Sequence, residues 1–162
     1  MKFIADVMLG RLAKYLRMLG YDTIYFNQKD EDELLRIAQE QGRTLLTRRT
    51  RLKGRKGIKD LLFITENNSR KQLEEVLFCY HLSPIPDSLF TRCLVCNEKL
   101  IHMPKKEAEG RVPEYIFNSH DSFSLCHTCN RIYWPGSHYK RMLQEIESST
   151  FNDHISAMAN NF

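Results

Sequence analysis

The sequence predicts an α/β chain in which a parallel sheet flanked by helices is followed by a small unit built on four cysteines. Three observations predict it. Short apolar runs alternate with helical periodicities up to residue 82, Gly20 and Gly42 punctuate two of those helices, and Cys93-Leu-Val-Cys96 and Cys126-His-Thr-Cys129 stand in the second half. At 162 residues the chain suffices for one ordinary domain or two small ones.

Lys2 to Ala5 reads as a short strand. Leu9, Leu12, Leu16 and Leu19 then recur at helical spacing, and Gly20 follows where a left-handed cap is favoured. Thr23 to Phe26 is β-branched and aromatic, a second strand ending at Asn27. Asp30 and Glu33 form a capping-box pattern ahead of Leu34, Leu35, Ile37 and Ala38, which sets a helix running to about Gln41. Thr44 to Thr47 and Asp60 to Thr65 are apolar runs of strand length, and Ser69 to Tyr80 restores a helical pattern. Strands alternating with helices in this way call for parallel pairing through right-handed crossovers.

In such a sheet, ligands sit beyond the carboxyl ends of the strands. Those ends are Asp6, Asn27, the segment Thr47-Arg48-Arg49, and Glu66 with Asn67 and Asn68. The division expected is a first domain over residues 1–82, a proline-bearing linker over 83–91, a cysteine unit with a short C-terminal helix over 92–147, and a polar tail over 148–162. Between the cysteine pairs no strand or helix of length is predicted, which leaves that unit little core of its own.

Lys and Arg exceed Asp and Glu by 24 to 20, and the excess is concentrated. Residues 43–59 hold eight basic side chains and no acidic one. Arg48, Arg49, Arg51, Lys53, Arg55 and Lys56 repel one another unless phosphates neutralise them, so this stretch is either a solvated charge run or a contact for RNA. The N-terminal residues carry charge too early for a signal peptide or a membrane span, and the expectation is a soluble, cytoplasmic protein. In a reducing compartment four cysteines in two Cys-x-x-Cys pairs point to metal: Cys93, Cys96, Cys126 and Cys129 form one closed, structural zinc shell. Asn97 and Asn130, which follow the pairs, suit the left-handed turn that ends such a knuckle.

Among the acids, Asp6 stands at the end of the first strand and is either a metal-binding acid or the cap of the helix that follows. Glu31 and Asp32 belong to an acidic first turn that the helix dipole favours, and Glu66 to a loop; each is also a candidate to join Asp6 around Mg²⁺ or Mn²⁺.

The run from Phe3 to Thr23, F-I-A-D-V-M-L-G-R-L-A-K-Y-L-R-M-L-G-Y-D-T, resembles the opening of the Mut-7 C-terminal RNase domain family. G-R-T-L-L-T-R from Gly42, T-R-C-L-V-C-N from Thr91 and R-I-Y-W-P-G-S-H-Y from Arg131 resemble it too. The resemblance implies a PIN-like nuclease domain followed by a zinc ribbon, and metal-dependent cleavage of single-stranded RNA by acids at the carboxyl edge, with Asp6 as the first of them. After G-R-T-L-L-T-R the family's pattern carries Asp, and here Arg49 stands in its place. Three readings follow: a Mg²⁺- or Mn²⁺-dependent ribonuclease impaired by Arg49, in which Asp6 works with Glu31, Asp32 or Glu66; a non-catalytic RNA-binding module using the Arg48 to Lys59 loop; and a zinc-stabilised protein-interaction module anchored by Tyr133 and Trp134.

Overall fold

The computed structural model describes residues 1–54, 60–137, 139–141 and 144. Two compact units make up the chain, residues 1–99 and 100–162. The first contains β1 (Lys2–Ala5), α1 (Gly10–Met18), β2 (Asp22–Tyr25), α2 (Glu31–Glu40), β3 (Thr44–Thr47), β4 (Leu61–Phe63) and α3 (Ser69–Cys79). Short 3-10 turns follow β1 (Val7–Leu9) and β3 (Thr50–Leu52).

The sheet is parallel throughout, in the order β2-β1-β3-β4, so the chain winds one way from β1 to β2 and the other way from β3 to β4. The reversal falls between β1 and β3, where a parallel sheet opens a crevice at its carboxyl edge. Asp6 and Arg48 leave the sheet at that crevice. Strand β1 is central and, apart from Lys2, fully buried, which its run Phe3-Ile4-Ala5 allows. Ile4 packs with Phe26, Leu34, Leu35, Ala38, Leu45 and Leu52 under α2. Phe3, one residue earlier and therefore on the opposite face, meets the rings of Tyr21 and Tyr80 edge-on at 6.0 and 5.9 Å. Leu12 and Leu16 on the inward stripe of α1 are wholly removed from water, each stabilising the fold by roughly 1.5–3 kcal/mol.

The local signals hold. Gly20 has φ +88°, and a Cβ there would run into the carbonyl of Ser88, so this cap position accepts only glycine without strain. Asp30 caps α2, its Oδ1 accepting the Glu33 amide at 3.0 Å. Strand β4 is shorter than its apolar run, because Asp60 and Ile64 flank the paired residues.

At the amino edge of this sheet, the first cysteine pair is tied down. Arg17, 5% exposed, donates from Nε to Thr23 O at 2.8 Å and from Nη1 to Leu94 O and Val95 O at 2.8 and 3.0 Å. Asn97 accepts the Thr23 amide at 2.8 Å and donates to Asp22 Oδ1 at 2.7 Å. Arg43 binds the same carboxylate at 2.6 Å and so leaves the basic run to which sequence assigned it.

In the second unit the structure corrects the expectation of a coreless ribbon. Strands β5 (Ile101–Met103), β6 (Phe123–Leu125) and β7 (Ile132–Tyr133) pair antiparallel, and α4 (Lys105–Ala108) and α5 (Glu114–Ser119) lie between β5 and β6. Met103, Ala108, Ile116, Phe123 and Leu125 form a buried cluster, with Val112, Phe117, Ile132 and Trp134 against it. Elements of two to six residues are too short to show a period, so the sequence carries no periodic signal for them. Trp134 is half-buried and packs against that cluster. The helix expected over 139–146 falls largely outside the described residues, and the tail 148–162 wholly so.

Burial pushes the Asp22 carboxyl up, but hydrogen bonds from Arg43 and Asn97, with the charges of Arg43 and Arg92, outweigh it and hold the group below 3.8. A depressed carboxyl contributes stability above its unfolded value, and that contribution is lost as pH falls through the folded one. The stability difference between wild type and Asp22→Asn is therefore expected to be full at neutral pH and to shrink as pH falls below 4. Urea unfolding of both proteins across that range checks it.

Candidate nucleic-acid interface and metal centre

Asp6 emerges from β1 with extended backbone and is completely buried. Its two oxygens divide the roles that the sequence left open. Oδ1 caps the Val7–Leu9 turn by accepting the Met8 amide at 2.9 Å. Oδ2 accepts the Thr47 hydroxyl and, at 3.2 Å, the Arg48 amide. Its own amide donates to Leu46 O at 3.1 Å, so the carboxylate is pinned between the ends of β1 and β3.

Arg49 completes this arrangement. Its amide donates to Thr47 Oγ1 at 3.0 Å and its side chain, only 10% exposed, turns inward. Nε lies 3.7 Å from Asp6 Oδ2, Nη1 lies 3.9 Å from Glu31 Oε2, and Nη2 donates to Gln28 O at 3.3 Å. Nη1 is buried and finds no hydrogen-bond acceptor among the described residues. Glu31, in the first turn of α2, also forms an ion pair with Arg51, Oε2 lying 2.5 Å from Nε. Asp6, Glu31, Arg49 and Arg51 thus come together as two acids interleaved with two guanidinium groups.

The remaining predicted residues are placed differently. Asp32 is exposed, one position and about 100° further round α2. Glu66 is held by its backbone, its amide donating to Glu75 Oε2 at 3.2 Å and its carbonyl accepting from Gln72 at 2.9 Å; among the described residues its carboxylate forms no ion pair with the cluster. Arg48 reaches Asn67 Oδ1 at 2.5 Å, and the Lys53 ammonium lies 5.2 Å from the centre of the Phe63 ring. Arg55, Lys56 and Lys59 lie outside the described residues.

Two participants carried no sequence signal strong enough to single them out. Glu75, on α3, gathers the Thr65 amide and hydroxyl and the Glu66 amide across nine to ten residues, a spacing with no local signature. Lys29 lines an open pocket of about 310 Å³ together with Val7, Arg49, Thr50 and Arg51. Its place in the loop leaving β2, at the carboxyl edge, was the available clue.

This geometry does not fit a divalent cation at Asp6. Both carboxylate oxygens already accept hydrogen bonds, and Arg49 holds a fixed positive charge beside Oδ2. A guanidinium about 4 Å from a divalent ion is repelled by about 8 kcal/mol at an effective dielectric near 20.

The cysteines do fit a metal. The sulfurs of Cys93, Cys96, Cys126 and Cys129 all lie within 4.8 Å of one another. Cys93 and Cys96 Sγ are 3.6 Å apart, close to the roughly 3.8 Å edge of a tetrahedron with zinc–sulfur bonds of about 2.3 Å. The Cys96 amide points at Cys93 Sγ at 3.3 Å, which suits a thiolate acceptor. The two knuckles share one backbone design: Cys93 N to Glu98 O and Asn97 N to Cys93 O, matched by Cys126 N to Arg131 O and Asn130 N to Cys126 O. Asn97 and Asn130 both adopt positive φ, at +71° and +56°. His127 is exposed and takes no part. Four thiolates would satisfy zinc completely, making the centre structural.

A family model described as the Mut7-C RNAse domain matches residues 1–146. The chain belongs to this family. No curated protein and no solved structure matches it. Membership in the Mut7-C RNAse domain family points to a nuclease-like or RNA-related role, and the cysteine cluster fits a zinc ribbon. Among the described residues no helix is long and apolar enough to cross a membrane.

One equivalent of zinc per chain is expected on purification, falling to near zero in Cys93→Ser/Cys126→Ser. Loss of a structural zinc costs several kcal/mol, which for a chain of this size lowers Tm by roughly 10 °C or more. Metal analysis paired with thermal unfolding measures both.

Proposed function

We propose that this member of the Mut7-C RNAse domain family binds single-stranded RNA at the carboxyl edge of its sheet without cleaving it. The observation that carries the reading is Arg49, which occupies the position between Asp6 and Glu31 where a nuclease would gather a divalent ion. A guanidinium there exchanges a hydrolytic site for a phosphate contact. Arg48, Arg51 and Lys53 flank it along the same edge, with Arg55 and Lys56 next in the chain, and together they would follow a phosphate backbone. Zinc at the four cysteines serves folding, and the thiolate shell suits the reducing cytoplasm.

A Mg²⁺- or Mn²⁺-dependent ribonuclease is the second reading, and one observation favours it: Asp6 and Glu31 face a common point, now filled by Arg49. Asp32 and Glu66 would have to move to join them.

A Mn²⁺ cleavage assay on single-stranded RNA, run beside a binding titration, separates the two. Wild type is expected to bind in a strongly salt-dependent manner and leave the RNA intact. Arg49→Ala should weaken binding and lower the salt slope by about one, whereas Arg49→Asp, which restores the family's acid, should gain Mn²⁺-dependent cleavage. Cleavage by wild type that vanishes in Asp6→Asn would replace the binding reading with the ribonuclease.

A further inference from the structure

We infer that the pocket lined by Val7, Lys29, Arg49, Thr50 and Arg51 receives one phosphodiester group of the RNA, and that Glu31 is the resident anion this phosphate displaces. The inference rests on the RNA-binding reading above and adds the ligand group and its internal competitor.

Three of the five lining residues are cationic, and at about 310 Å³ the space is at the lower end of the roughly 300–1,000 Å³ range of ligand pockets. A second, independent observation is the buried Nη1 of Arg49, a donor without an acceptor among the described residues. Leaving such a donor unmet is costly, and a phosphate oxygen would satisfy it. Glu31 Oε2 lies 2.5 Å from Arg51 Nε and 3.9 Å from Arg49 Nη1, an ion-pair partner of both guanidinium groups that gives Nη1 no hydrogen bond.

A carboxylate and a phosphodiester are both monoanions presenting two oxygens, and a guanidinium fork accepts either. Once Glu31 is displaced, Lys29, Arg49 and Arg51 stand against Asp6 alone, an excess of positive charge that draws a phosphodiester anion into the pocket. Lys29 is exposed and has no ion-pair partner among the described residues, so it can close on a ligand without breaking a contact. Val7, 36% exposed, adds an apolar wall on which a ribose can rest.

The test is fluorescence anisotropy with a 5′-hydroxyl oligouridylate in EDTA over a range of salt, with circular dichroism to verify folding. Lys29→Ala should weaken binding several-fold and lower the salt slope by about one. Glu31→Gln should tighten binding several-fold, the opposite of what loss of a metal ligand or of a structural contact would do. RNA binding that ignores both variants, or that weakens in Glu31→Gln, would overturn the subsite and leave the RNA-binding reading standing. Absence of RNA binding by wild type at low salt would overturn that reading and the subsite with it. A 5′-phosphorylated oligomer binding more than tenfold tighter, with inorganic phosphate competing at millimolar concentration, would reassign the pocket to a terminal phosphomonoester and overturn the assignment made here.

Discussion

The buried carboxylate of Asp6 is the constraint on which the edge of the sheet depends. It sits where the sheet reverses its winding, and it joins the ends of two neighbouring strands by accepting from Met8, Thr47 and Arg48. An ionised group without such partners would be intolerable at zero exposure. Satisfying it fixes the backbone of residues 47–49, and that backbone turns the Arg49 side chain inward. The site is therefore built in sequence: strand order places Asp6, Asp6 places the β3 end, and the β3 end places Arg49.

Much of this frame was legible before any coordinates. The β-α alternation, the Gly20 cap, the Asp30 capping box and the paired cysteine knuckles each follow from local rules, and local rules transfer well. The ambiguity over Asp6 was also real in a physical sense, because one carboxylate has two oxygens and the chain uses one for each role. Three things were less legible. Arg43 counts among the eight cations of the basic stretch, yet it is taken up by Asp22, and Arg49, which stands where the family's pattern carries an acid, reaches Glu31 as well as Asp6; which cations point inward depends on carboxylates more than ten residues away. The core of the second unit is assembled from elements too short to show periodicity. Glu75 organises the loop after β4 through contacts that no spacing rule describes.

Opposite ends of the one sheet thus carry different tasks. The carboxyl edge collects opposed charges, Asp6 and Glu31 against Arg49 and Arg51, beside an open pocket. At the amino edge, the backbone of the first cysteine knuckle is held by Arg17, Arg92 and Asn97 through largely buried, directional hydrogen bonds.

Asn97 shows how tightly such a frame restricts its own variation. Glycine and asparagine both serve the left-handed turn that ends a cysteine knuckle, so conformation alone would let one replace the other at both knuckles. At position 97 the amide side chain is also a two-way linker, taking the Thr23 amide and giving to Asp22. Glycine would close the turn but leave the Thr23 amide without this acceptor and take one donor from Asp22, which would keep Arg43. The two asparagines therefore answer to unequal rules: in Asn130 the backbone angle accounts for the residue type, whereas Asn97 must meet a shape requirement and a bonding requirement at once, and drift among related chains should be freer at the former.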